Sequence, residues 1–459
     1  MTFTKRLLRY LVLFSCIWIT GFENSQCSFL DSSDGDSSSG ATGVSVRVQD
    51  EQKISANDGN FNGDLYAGSR FGADLGDTGD LESDGVQDLA SGAPFDDDGG
   101  EDRGAVWVLF MDDNGRVDME RKLSADTGGF DGDLDDGDLF GSALSGLGDI
   151  NRDGAQDLAV GTPGDDKGGN DRGALWVLFL NADGRVRDQQ KIADDTGGFS
   201  GNLDNDDRFG SAVAAIGDID GNGTTDLAVG APGDDKGGND RGALWVLFLD
   251  ADGRVREQQK IADDTGGFSG NLDNDDRFGS AVAAIGDIDG NGVEDIAVGA
   301  PGDDTNGTDR GAVWVLLLDA DGTVRDQEKI ADGAGGFRGG LDNNDRFGSA
   351  LSGIGEIRGT GYPGLAVGAP NDDDGAADAG AVWILYLDSD GSAAGWQKVS
   401  SDAGGFDGNL DAGDNFGAAV AGIGNLDKEG IQDLAVGAPG ADDGGTDKGA
   451  AWILFMKRD

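Results

Sequence analysis

The 459 residues carry 88 acidic against 34 basic side chains, a formal charge of −54, and no histidine. That charge excludes nucleic acid and anionic membrane surfaces as partners, because both reward the opposite sign. Without histidine the commonest general base and transition-metal ligand are gone, and Cys16 and Cys27 are too few for a disulfide framework.

In chain order, residues 1–27 read as an export signal. Lys5, Arg6 and Arg9 precede an apolar run, Leu11 to Ile19, that is short for a bilayer span. The cleavage site is weakly marked, so an uncleaved anchor is the alternative. Residues 28–43 are rich in Ser, Asp and Gly and read as a flexible spacer.

From residue 45 onward one unit repeats. A Phe-Gly pair opens at Phe71, Phe140, Phe209, Phe278, Phe347 and Phe416, each 69 residues after the last. A turn follows 21 residues later, at Gly92, Gly161, Gly230, Gly299, Gly368 and Gly437. A fixed period of this length marks a repeat architecture. In the third copy, Gly210 to Ile216 is small and apolar, suiting an inner strand, and Asp226 to Ala231 is a second strand. Ala243 to Leu249 (ALWVLFL) is apolar throughout, which predicts a strand covered on both faces. The turn Asp250 to Gly253 then leads into Arg254 to Ile261, whose alternation predicts a half-exposed outer strand.

Four antiparallel strands per repeat predict a β-propeller blade; a stacked solenoid would need capping segments. The last copy stops after its third strand, while Arg47 to Ile54 (RVQDEQKI) matches Arg254 to Ile261. The expectation is therefore an all-β, six-bladed β-propeller over residues 45–459, with the N-terminal strand completing the last blade. Trp107, Trp176, Trp245, Trp314, Trp383 and Trp452 keep the same period and are expected to pack between blades, whereas Trp396 falls outside the pattern.

Asp218 to Asp226 (DIDGNGTTD) places side-chain oxygens at positions one, three, five and nine, with glycine at six. Such spacing wraps hard oxygen ligands round Ca²⁺, although no EF-hand is implied. Five copies keep the pattern: Asp80, Glu82, Asp84 and Asp88; Asp149, Asn151, Asp153 and Asp157; Asp218, Asp220, Asn222 and Asp226; Asp287, Asp289, Asn291 and Asp295; Asn425, Asp427, Glu429 and Asp433. The last carries less charge and is expected to bind more weakly. In the fifth copy Arg358 takes a ligand position and Gly364 replaces the last carboxylate, so about five Ca²⁺ sites are expected, with the fifth repeat empty.

Together, Phe209-Gly210, the Asp218 to Asp226 loop and the Gly230-Ala231-Pro232 turn resemble the FG-GAP repeats of integrin α-chain β-propellers, over residues 45–459. The resemblance implies Ca²⁺ in hairpin loops of several blades and extracellular protein–protein adhesion. Integrin propellers have seven blades where six are counted here. The 459 residues are also expected to hold no later integrin domain, inserted ligand-binding domain or transmembrane tail. A free-standing, monomeric propeller is therefore expected, and integrin ligands do not carry over.

Two further acidic stretches recur, Gly233 to Arg241 and Asp204 to Asp207; they suit either more Ca²⁺ or solvated turns. The leading expectation is a secreted or cell-surface, non-catalytic adhesion module with an extracellular protein or glycan partner. One alternative is a propeller-based polysaccharide lyase or hydrolase. It would need the residues that break the repeat, Tyr66, Arg358, Tyr362, Pro363 and Trp396, to converge. Another is a structural matrix or surface-layer protein, which suits the near-identity of the third and fourth copies.

Overall fold

A computed structural model describes residues 46–125, 127–357, 361, 363–428 and 430–458. The expected export signal and spacer lie outside the described residues. The described residues form 24 strands in six antiparallel sheets of four. Each sheet is a blade running from an inner to an outer strand, and the blades follow one another round a six-bladed β-propeller.

Blade 3 shows how the sequence builds the unit. Its inner strand is Ala212–Ala215, its second Leu227–Ala231, its third Ala243–Leu249 and its outer strand Val255–Ala262. The third strand has its predicted bounds, and all seven of its residues are buried. Leu244 and Val246 enter a core shared with blade 4, while Trp245, Leu247 and Leu249 enter the core shared with blade 2. Each such side chain stabilises the fold by roughly 1.5–3 kcal/mol relative to exposure. The inner strand is shorter than predicted because Gly210 and Ser211 belong to the turn: Gly210 has φ 89°, and the Ser211 hydroxyl donates to the Arg208 carbonyl at 2.8 Å.

The apolar residues form six clusters, and each draws on two neighbouring blades. The periodic tryptophans sit in these clusters, as their spacing predicts. Trp245 meets Phe199 edge-on at 5.0 Å, and Phe199 stacks with Phe209 at 5.0 Å. Lys260 stands 5.2 Å above the Trp245 ring and is ion-paired with the buried Asp234. A lysine charge is thus held against an aromatic face and a carboxylate at once, and blades 2, 4 and 5 repeat the arrangement.

The paired glycines of the motif have one physical explanation. A Cβ on Gly230 would lie 1.9 Å from the carbonyl oxygen of Gly279 in the next blade. The turn after the second strand of one blade therefore presses on the Phe-Gly turn of its neighbour, and only hydrogen fits between them.

Closure follows the expected route. Val46–Ser55 pairs antiparallel with Ala450–Arg458, outside the other strands of the sixth blade. Val46, Val48 and Ile54 are buried there, so the joint is a packed sheet.

Candidate metal centre

The acidic loops link the first and second strands of blades 1, 2, 3, 4 and 6. In blade 3 the chain turns at Gly221 (φ 76°) and Gly223 (φ 88°). The Asp218 carboxylate accepts the Gly223 N–H at 2.8 Å, Asp220 accepts the Asn222 N–H at 2.9 Å, and the Asn222 side-chain oxygen accepts the Thr224 N–H at 2.9 Å. Asp226 is fully buried and takes N–H groups from Ile219 (3.1 Å) and from Leu249 on the third strand (3.0 Å). Backbone amides therefore aim the side-chain oxygens into one concavity.

The outcome is repeated. Carboxylate oxygens of Asp80, Glu82 and Asp88 lie within 4.8 Å of one another, as do those of Asp218, Asp220 and Asp226, and of Asp287, Asp289 and Asp295. In blade 2 the same hydrogen-bond scheme holds Asp149, Asn151, Asp153 and Asp157, with Asn151 in place of the third-position carboxylate. In blade 6, Asp433 is buried and accepts the Leu426 and Met456 N–H groups, both at 2.8 Å. Asn425 is exposed and Asp427 half-buried beside it, while Glu429 lies outside the described residues. Arg358 and Tyr362 of the fifth copy also lie outside them; Glu356 there accepts the Gly361 N–H at 3.2 Å.

Gathering like charges in a half-dry pocket is unfavourable without a cation, and the carboxyls register it. Burial pushes Asp226, Asp295 and Asp433 up to about 6 and Asp157 to about 7, with neighbouring carboxylates adding to the rise. Asp88 is pushed to about 8 by burial and by its contact with Glu82. Hard oxygen donors, several of them anionic, round one small concavity are the donor set of Ca²⁺. The residues present fit that ion.

An arginine on the outer strand enters three of these loops, a feature that local spacing does not reveal. Arg256 pairs with Asp220 at 3.1 Å, Arg187 with Asp153, and Arg325 with Asp289. The corresponding positions hold Asp118 in blade 1, Ala394 in blade 5 and Gln49 in blade 6.

The other recurring acidic stretches are bound into the fold. Asp207 accepts the Asp204 N–H at 2.8 Å, Asp235 accepts the Asp240 N–H at 2.9 Å, and Asp234 is the partner of Lys260. Among the described residues that break the repeat, Tyr66 is an exposed side chain of the first copy. Pro363 opens the second strand of blade 5, and Trp396 packs edge-on against Phe337 at 5.3 Å in the core. The structure does not bring these three together.

Two departures inside the ring went unmarked in the sequence reading. Asp74 and Asp77 line the axial channel beside the first inner strand, where the other copies carry only Ala or Gly. Aligning the six copies column by column would have exposed both. The Asp74 carboxylate accepts the Leu144 N–H of the next blade at 2.6 Å, and burial pushes it up to about 7. Asp77 is raised by burial as well.

A closed ring of four-stranded blades, each with a Phe-Gly turn and a Gly-Ala-Pro-like turn and five of them with an acidic hairpin loop, matches the fold of an integrin α-like FG-GAP β-propeller. The FG-GAP repeat model matches residues 140–178, 209–247 and 278–316. Among curated relatives, integrin alpha pat-2 of Caenorhabditis briggsae is 32% identical over 238 residues, covering 49% of this chain and 17% of that protein. Integrin alpha-PS5 of Drosophila melanogaster is 37% identical over 160 residues (34% and 14%), and human integrin alpha-6 is 34% identical over 176 residues (38% and 13%). The matched region thus spans less than a fifth of these relatives' length. Among the described residues no helix is long and apolar enough to cross a membrane.

Proposed function

We propose that this chain is a calcium-stabilised extracellular binding module, secreted or held at the cell surface, that acts in adhesion without catalysis. One observation carries the reading: at the same loop of three blades, the fold brings three carboxylates together, an arrangement that a bound cation would make favourable. Asp80, Glu82, Asp84 and Asp88 would hold Ca²⁺ in blade 1, and the equivalent residues of blades 2, 3, 4 and 6 would do so in theirs. The ion supplies the positive charge that lets the loop oxygens face one another. The protein's part is positional: Asp226 ties its loop to the third strand, and its counterparts do the same. Similarity to integrin alpha chains supports an extracellular setting and a protein partner, with a glycan as the other candidate. Residues 1–27 serve as the export signal in this reading, and residues 28–43 as the spacer.

The test is a thermal melt of the purified propeller with Ca²⁺ and with excess chelator. Calcium-stabilised loops give a melting temperature that falls on chelation and returns when Ca²⁺ is restored. An identical melt in both conditions would count against the reading.

A further inference from the structure

Strands alternate in direction along each blade. The loops after the second strand and the turns before the first therefore lie at the opposite end of the ring from the acidic hairpins. At that end a cavity of about 670 Å³ opens between blades 3 and 4, a size suited to one or two sugar units. Arg208 and Arg277 form the basic part of its wall, and Asp206, Asp235, Asn239 and Asp240 a polar, largely acidic part.

Two features mark these arginines. Both are exposed, and neither makes an ion pair or a side-chain hydrogen bond among the described residues, although the chain has 88 carboxylates. Arg172, Arg241 and Arg310, by contrast, are paired with Asp194, Asp263 and Asp332. Second, both have left-handed backbones, φ 55° and 57°, a region that penalises a long side chain and suits Gly or Asn. The strained position is fixed from both sides: the Arg208 N–H donates to the Asp171 carbonyl at 3.0 Å, and the Arg208 carbonyl accepts the Ser211 N–H (3.1 Å) and hydroxyl (2.8 Å). The left-handed position itself belongs to the repeat: Arg70, Leu139 and Arg346 hold it with φ 55°, 60° and 57°, and Asn415 holds it in blade 6. Unpaired guanidiniums held at a strained position by a braced backbone mark a place where a ligand completes the contacts.

We infer that this cavity, through Arg208 and Arg277, binds the carboxylate of an acidic sugar at the end of, or within, a sparsely charged glycan. A guanidinium fork takes a planar carboxylate with two parallel hydrogen bonds. The remaining lining decides what surrounds that carboxylate. Asp206, Asp235 and Asp240 accept hydrogen bonds from hydroxyl groups and repel a second negative charge, so a densely charged polyanion is rejected locally as well as by the net charge. A hydroxyl-rich ring bearing one acid group satisfies both walls. The inference extends the reading of the chain as a binding module and does not depend on the calcium loops at the other end.

The experiment is isothermal titration of the full chain with 3′-sialyllactose, which carries one carboxylate on three sugars, in a fixed excess of Ca²⁺, because sugar carboxylates bind that ion themselves. Lactose and tetraglutamate are titrated alongside. Saturable binding of sialyllactose is expected, with no heat from lactose. The double variant Arg208→Asn and Arg277→Asn carries the residue blade 6 already uses, so it keeps the fold; it should bind roughly tenfold or more weakly with an unchanged melt. Absence of sialyllactose binding, equal binding by lactose or tetraglutamate, or unaltered affinity in the double variant each overturns the inference. The chelator melt separates such a failure from failure of the calcium reading.

Discussion

Asp74 gives the sharpest prediction about the interior of the ring. Its carboxyl rises from the ordinary 3.8 to about 7, chiefly because burial disfavours the charge, with the Leu144 and Leu75 N–H groups pulling the other way. A folded-state value above the unfolded one means that folding favours the protonated form. The stability this proton provides is fully present below about pH 4 and is lost as pH rises towards 7. The whole rise corresponds to an upper limit of about 4 kcal/mol. Asp74 borders a channel that retains some exposure, so screening reduces the expected effect to about 1–2 kcal/mol. Asp74→Asn should reproduce the protonated acid, because its amide oxygen can still accept the Leu144 N–H. Urea unfolding in saturating Ca²⁺ should therefore find variant and parent nearly equal at pH 4 and the variant more stable at pH 8. The loop carboxylates titrate in both proteins and cancel in the difference. A difference that stays constant with pH, or a variant less stable at pH 8, would refute the reasoning.

Two other expectations follow from single contacts. Arg256→Gln removes a partly exposed ion pair worth about 0.5–1 kcal/mol, so the blade 3 loop should bind Ca²⁺ about two- to fivefold more tightly, and Asp118→Arg should weaken blade 1. Calcium titration of the variants reads both, and unchanged affinities would show that the arginine does not compete with the ion. Gly230→Ala places a methyl 1.9 Å from the Gly279 carbonyl oxygen, so the blades must part and stability should fall by about 2–4 kcal/mol. A melt matching the parent's would disprove that close approach.

Much of the fold was legible because the period exposes each element six times. The third strand was read to the residue, since seven consecutive apolar positions admit only a strand covered on both faces. The closing strand was legible because Arg47 to Ile54 repeats an outer strand that the C-terminal copy lacks. The acidic loops were legible because the side-chain oxygens of each lie within nine residues. What stayed hidden depends on partners distant in sequence. The ion pair of Lys260 with Asp234 spans 26 residues, that of Arg256 with Asp220 spans 36, and the contact of Gly230 with Gly279 joins two blades. Asp74 was hidden for another reason: one carboxylate among 88 acquires meaning only when its column in the other blades is seen to be Ala.

The inner strands show why such departures matter more than the repeats. An innermost strand has a free edge facing the channel, and its N–H groups need partners that the sheet cannot supply. Side chains from the preceding blade supply some of them: Asp74 to the Leu144 N–H, Ser145 to the Ala215 N–H at 3.0 Å, and Ser352 to the Gly422 N–H at 3.0 Å. The near-identical blades 3 and 4 carry Ala214 and Ala283 where Ser145 and Ser352 stand, so this side-chain bridge is missing from them. Those two blades are also the ones whose arginines line the 670 Å³ cavity. Among the described residues no such inner-strand bridge spans the seam beneath the proposed glycan site; there the shared apolar core and backbone hydrogen bonds such as Arg277 N–H to the Asp240 carbonyl (3.0 Å) set the spacing of Arg208 and Arg277. Calcium bound at the opposite end would act on that spacing only through the strands, because Asp226 and Asp295 anchor their loops to the third strands of the same two blades. Any link between the proposed ion binding and ligand binding would therefore run through blade rigidity, with no residue shared between the two sites.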